Sequence, residues 1–363
     1  MAPEAWFHDS GEHAMRAVVF EDYQTFPSLS EVEEPEPGPG EALLKVAGAG
    51  ACHSDVSIYR VFEEGSPGAE RPPFILGHEN AGWVERVGTG VSERIKIGAA
   101  YLVYGPIGCQ HCHQCVQGKD TYCENAATMP YKAVGLGRDG GMAEYVTVPA
   151  RHLVPLGDAD PVEAAPLADA GLTPYHAIKR SLPHLQGGGR YALAIGLGGL
   201  GQIGVQILRA LTGATIIATD LRADARERAE ANGAVTVPGG DDQVEQILEQ
   251  THGRGIDAAF DFVGAGPTIA TAAGSMAQGG ALSVVGISTG THEFSFFTNP
   301  YESYVTNTYW GTVSELWEVV DMYRAGQIRP EVERYGMDQA LEAYRRLESG
   351  QVNGRAVVMP AQG

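Results

Sequence analysis

The sequence predicts an α/β chain in two parts, a β-rich first third and a doubly wound parallel sheet behind it. Short β-branched runs broken by turn residues fill the first third. From about Ala170, short apolar runs alternate with stretches of helical periodicity. A Gly-x-Gly-x-x-Gly motif stands between one such run and the helix pattern that follows it.

In chain order, the first 14 residues (MAPEAWFHDSGEHA) lack a basic start and an apolar core. They read as an extension rather than a signal peptide. RAVVF (16–20), ALLKVAGAG (42–50) and AGWVERVG (81–88) read as strands, and Pro35–Gly40 as a rigid separator. YALAIG (191–196) is the expected first parallel strand, with helix 200–211, strand 214–220, helix 223–233 and strand 234–237 after it. AAFDFVG (258–264) and ALSVVGI (281–287) are further strands. Residues 314–326 and 337–350 then turn helical.

Composition narrows the function. The chain has 363 residues, 44% of them apolar, which is enough for real cores and too apolar for disorder. Lys+Arg 25 against Asp+Glu 45 gives a net charge of −20, which repels nucleic acid and anionic membranes, so neither is expected as a partner. No apolar run is long enough to span a bilayer.

Gly196, Gly198, Gly199, Leu200 and Gly201 belong to the glycine motif. Such a turn lets a pyrophosphate approach the backbone and meet the free N–H groups of a helix start. Asp220 follows Gly196 by twenty-four residues, at the end of the next strand. A carboxylate there binds ribose hydroxyls and repels a 2′-phosphate, which favours NAD over NADP. Arg222 pulls the other way.

Cys109, Cys112, Cys115 and Cys123 have the spacing C-x2-C-x2-C-x7-C in a polar segment. Four thiolates so placed close a tetrahedron around a structural zinc, with an iron–sulfur cluster as the alternative. His111 and His113 between them read as exposed spacers. This cysteine usage points to a reducing compartment, the cytoplasm. Cys52, in ACHSD, and His78, in GHENAG, stand alone and by default would be packed core residues.

GHENAGWVERVGTGV, CHSD, the four-cysteine segment, PLADAGLTPYHAI, the glycine motif and GRAVV occur together in order. In these the chain resembles the zinc-dependent alcohol dehydrogenases of the medium-chain dehydrogenase/reductase family, most closely bacterial secondary-alcohol dehydrogenases. The resemblance implies a GroES-like catalytic domain (1–170 and 311–363) interrupted by a Rossmann domain (171–310), with the active site in the cleft between them. It implies a catalytic zinc on Cys52, His78 and Asp169, where many members have cysteine at the third position. With the structural site, that makes two zinc ions per chain. Asp55 would orient His78, and Glu79 would lie beneath the metal, or else form a structural ion pair. Ser54 would start a proton relay, with His53 as its next titratable group, since position 57 is Ser57. Gly98 is followed by Ala99 where the family usually has aspartate.

For the cofactor, the resemblance implies Thr173, Val285, Gly286, Ile287, Thr308 and Trp310 about the nicotinamide. Leu221, Phe262 and Val263 would flank the adenosine, and Arg355 would pair with the pyrophosphate. Ser57, Tyr104, Ile107, Ile287, Tyr309 and Trp310 would line an apolar substrate pocket. The expected reaction is reversible hydride transfer between NAD and a small-to-medium secondary alcohol or its ketone. Polyol, aldehyde and aryl-alcohol substrates are the alternatives. A zinc-free reductase on the same fold and a non-catalytic redox sensor are the rival classes. A homodimer or homotetramer is expected, paired through the sheet edge near 281–287.

Overall fold

The structure, a computed structural model, describes residues 14–66, 69–130 and 132–361. The expected N-terminal extension lies outside these, except Ala14, which opens the strand Ala14–Phe20. The chain forms two compact units. One comprises the chain up to Asp169, Thr312–Val320 and the chain from Val332, and the other Ala170–Gly311 with Asp321–Glu331.

The first unit is built on a seven-stranded sheet in which Glu41–Gly50 is central, flanked by Glu79–Val87, Arg355–Met359 and Tyr145–Pro149. Being central explains its composition: all but two of its residues are buried, so LLKVAGAG carries almost no polar face. Leu44, Val46, Val84, Tyr101, Val103 and Val358 share one apolar core with Tyr59 and Tyr344. A smaller sheet pairs Ala14–Phe20 with Ser28–Glu33 and Phe74–Ile75. Ser28–Glu33 has mostly polar residues and escapes a reading based on apolar runs.

The second unit is a six-stranded parallel sheet. Its order is Val235–Pro238, Thr215–Asp220, Tyr191–Ile195, Ile256–Asp261, Met276–Val284 and Tyr304–Asn307. The helix Gly199–Leu211 crosses over between the first two strands in sequence, as the pattern predicts. Leu193, Ile195, Ile217, Ile256 and Leu282 pack with Ile247 and Ile269 of the covering helices. Two expectations are corrected. The run near 281–287 is not the sheet edge, because Tyr304–Asn307 pairs outside it. Residues 321–331 join this unit rather than the first, because glutamine side chains of its first crossover helix hold their backbone. Gln202 bonds the N–H and C=O of Glu331 at 2.9 and 3.1 Å, and Gln206 those of Arg329 at 2.8 and 3.0 Å. No described helix is long and apolar enough to cross a membrane.

His152, in the first unit, is fully buried against the Tyr104 ring, edge to face at 5.3 Å. Neither of its ring nitrogens has a hydrogen-bond partner among the described residues. Burial, then the charges of Arg151 and Arg138, hold the imidazole well below the usual histidine range. It is therefore neutral when folded and gains a proton on unfolding below about pH 6.5, so its contribution to stability is complete above that pH and declines below it. His152→Phe keeps the ring packing and removes the titration. It should melt close to the wild type at pH 7.5 and lose less stability than the wild type by pH 5.5. Thermal unfolding at the two pH values measures this, and equal losses would contradict it.

Candidate active site

Strand register brings Cys52 to His78. Gly50 pairs with Glu79 and Ala49 with Asn80 in the antiparallel ladder. One strand ends just before Cys52 and the other begins just after His78, so both residues emerge at the same end of the sheet. Gly77 allows this entry with φ +98, and a Cβ there would lie 2.7 Å from the Met142 nitrogen. Cys52 caps the helix His53–Arg60. Asp169 comes from the end of the turn Ala165–Ala168, 117 residues beyond Cys52.

The three donors form a compact triangle. Asp169 Oδ2 lies 3.7 Å from Cys52 Sγ and 3.5 Å from His78 Nε2. Donors on one tetrahedral zinc are separated by about 3.3–3.5 Å, given metal–ligand bonds of about 2.0–2.3 Å, so the donor set fits the ion. Cys52 and His78 are buried and Asp169 is half-buried. Burial disfavours a charged His78, yet Asp55 and Asp169 hold its pKa well above the usual histidine range. The pull on a proton here is the pull available to a cation.

Asp55 fixes the imidazole. Its Oδ1 faces His78 Nδ1 at 3.0 Å, which presents Nε2 to the triangle, and its Oδ2 accepts the Cys52 N–H at 3.0 Å. A second donor to Oδ2, the Tyr344 hydroxyl at 3.0 Å, has no signature in the sequence because it arrives from 289 residues away. Ser54 Oγ is 3.4 Å from Cys52 Sγ. His53 is exposed on the same helical turn, and Ser57 Oγ bonds the His53 carbonyl at 3.1 Å.

Glu79 and Arg355 pair beside the donor triangle, an Arg355 terminal nitrogen lying 4.0 Å from Asp169 Oδ2. Both are buried, and the Arg355 Nε and one terminal nitrogen donate to the Glu79 oxygens at 2.7 and 2.6 Å. Burial raises the Glu79 pKa and the Arg355 charge opposes that rise. Removing either partner leaves a buried charge uncompensated, at a cost of about 3–5 kcal/mol.

The four cysteines close a separate cluster, their ligand atoms all within 4.8 Å of one another. Backbone amides point into it: Cys109 N–H to Cys123 Sγ at 3.3 Å and Cys112 N–H to Cys109 Sγ at 3.4 Å, while the Asn125 amide adds 3.2 Å to Cys109. The His111 backbone amide is the main cause lowering the Cys109 pKa to about 6. Cys112 is lowered by the Cys115 amide, whereas burial raises Cys115. His111 and His113 are exposed and bond local groups, as expected of spacers. Arg151 ties the segment to the sheet through buried Asp120.

In the second unit the glycine turn is shaped by Asp220. Gly196 has φ +84, and a Cβ there would meet Val263. Asp220 Oδ2 accepts the Leu197 N–H at 2.7 Å and Oδ1 the Arg222 N–H at 2.9 Å. Gly198 caps the helix Gly199–Leu211, and the space beyond its Cα is open. Buried Asp261 shapes the adjoining turn by accepting from Val263, Gly264 and Thr268 at 2.8–3.1 Å. Sequence reading missed it. Leu221 and Val263 are exposed, Phe262, Gly286 and Thr308 half-buried, and Thr173, Val285 and Trp310 buried.

The expected pocket needs correction at Tyr104. Tyr104 is fully buried against His152, whereas Ile107, packed in the first unit's core, keeps a small exposed surface. A side chain that solvent cannot reach does not line an open pocket. Ile287 and Tyr309 are exposed on the second unit.

A sulfur, nitrogen and oxygen donor triangle beside a hydroxyl, in a chain that also carries a glycine turn on a parallel sheet, defines a class: zinc-binding, nucleotide-dependent dehydrogenases. Residues 38–158 match the alcohol dehydrogenase GroES-like domain, and residues 199–324 the zinc-binding dehydrogenase domain. The chain is 33% identical to a D-arabinose 1-dehydrogenase (NADP(+)) of Saccharolobus solfataricus, over 95% of this chain and 97% of that one. It is 32% identical to an NAD-dependent alcohol dehydrogenase of Sulfolobus acidocaldarius, over 95% and 99%. The crystal structure of an alcohol dehydrogenase from Aeropyrum pernix superposes with a TM-score of 0.87 at 33% identity, covering 95% of this chain and all of that one. The chain belongs to the medium-chain, zinc-dependent alcohol dehydrogenase family.

Proposed function

We propose that this oxidoreductase interconverts a small-to-medium secondary alcohol and its ketone with NAD as the hydride carrier, using one catalytic and one structural zinc per chain. The supporting observation is the Cys52–His78–Asp169 triangle with the Ser54 hydroxyl at its side. A zinc ion held by these residues would supply the Lewis acidity that lowers a bound alcohol's pKa towards neutrality. Ser54 would take the alcohol proton as it passes its own hydroxyl proton outward, with exposed His53 the next titratable group on that path. Asp55 keeps Nδ1 of His78 as the proton-bearing nitrogen, so Nε2 remains a donor atom for the metal.

For the cofactor, Asp220 favours NAD. Its carboxylate supports the glycine turn, and its remaining lone pairs suit ribose hydroxyls while repelling a 2′-phosphate. The name of the Saccharolobus relative, which specifies NADP(+), makes the choice of dinucleotide worth testing directly. The four-cysteine cluster suits a structural zinc because it offers four sulfurs and no open position. Oligomerisation has a candidate surface at the free edge Tyr304–Asn307. Beside it Phe294, Phe296, Phe297, Tyr301 and Tyr304 are all more than half exposed, and a second copy would cover them.

The test is initial-rate measurement on a panel of secondary alcohols, polyols and aryl alcohols, with NAD and with NADP, before and after chelator treatment. Secondary alcohols with NAD should be turned over fastest, and chelation should abolish the rate until zinc is restored. Full activity after verified zinc loss would refute the reading in favour of a zinc-free reductase, and no activity on any alcohol would favour a sensor. Light scattering on the same preparation should give a dimer or tetramer mass. A monomer would remove the role given to the aromatic edge.

A further inference from the structure

We propose that Tyr344 is a positioning residue for the catalytic metal site, acting through Asp55 on His78. The inference rests on the metal reading above. Tyr344 lies on the helix Ala340–Glu348, in the C-terminal piece that returns to the first unit. Its ring is fully buried and packs edge to face on Tyr59 at 6.1 Å, and Tyr59 packs likewise on Phe26 at 5.6 Å. A phenylalanine would fill that space equally well. The hydroxyl is what packing does not require, and it is aimed at Asp55 Oδ2 at 3.0 Å.

The geometry gives that hydroxyl a specific task. Asp55 is completely buried and accepts one hydrogen bond on Oδ1, from His78, and two on Oδ2, from Cys52 N–H and Tyr344 O–H. Two donors converging on one oxygen stop the carboxylate from rotating, so Oδ1 stays where His78 Nδ1 needs it. With one donor removed, a single backbone amide holds Oδ2, and the imidazole direction loosens. Partners that orient a metal-binding histidine typically control metal affinity by about 10- to 100-fold. Tyr344 should therefore govern zinc retention at Cys52, His78 and Asp169 and leave the four-cysteine cluster untouched.

The experiment is zinc release from the loaded protein to a chromophoric chelator, followed in time for wild type, Tyr344→Phe, Asp55→Asn and the double variant. The phase that Cys52→Ser removes identifies the catalytic site. Tyr344→Phe should release zinc in that phase roughly tenfold faster or more, with the other phase unchanged. In the Asp55→Asn background the same substitution should add less than twofold, because its target carboxylate is gone. A wild-type rate for Tyr344→Phe would overturn the proposal. So would equal acceleration of both phases, which marks general loosening, or an undiminished effect beside Asn at position 55. Absence from the wild type of any phase sensitive to Cys52→Ser would instead overturn the metal reading itself.

Discussion

One buried carboxylate organises the donor triangle of the first unit. Asp55 has no access to water, and a buried anion is tolerable only when its oxygens are satisfied. The donors that satisfy it are the amide of Cys52, the imidazole of His78, and a phenol from the far end of the chain. The same bonds that stabilise the anion therefore set the directions of Cys52 and His78. Folding cost and site geometry are governed by a single interaction.

The second unit repeats the device with a more exposed carboxylate. Asp220 grips the Leu197 and Arg222 amides on either side of itself, and Asp261 does the same for the next turn along the sheet. Both residues end parallel strands, where α/β sheets bind their ligands. In each unit, acceptor-only side chains at strand or helix ends shape loops that hydrophobic packing alone would leave underdetermined.

What was legible in the sequence follows from range. The Rossmann strands and first crossover helix could be read because their periodicity is local, and the four cysteines because their ligand spacing is local. Cys52, His78 and Asp169 became a set only through the resemblance of CHSD, GHEN and PLADAGLTPYHAI, since 117 residues part the first from the last. Arg355 shows the limit. Its pairing with Glu79 depends on two strands from opposite ends of the chain, each neighbouring Glu41–Gly50. Tyr104 was misplaced and Tyr344 gave no signal for the same reason: an aromatic residue's neighbours, and whether solvent reaches it, are decided by tertiary packing.

The account stands on an oxygen donor completing the triangle with Cys52 and His78. Metal analysis of purified Asp169→Ala, set against the wild type, tests this most directly. Zinc should fall from two ions per chain to one, with the four-cysteine ion retained, the fold intact and alcohol turnover lost. Two ions still bound with undiminished turnover would show that the third donor lies elsewhere.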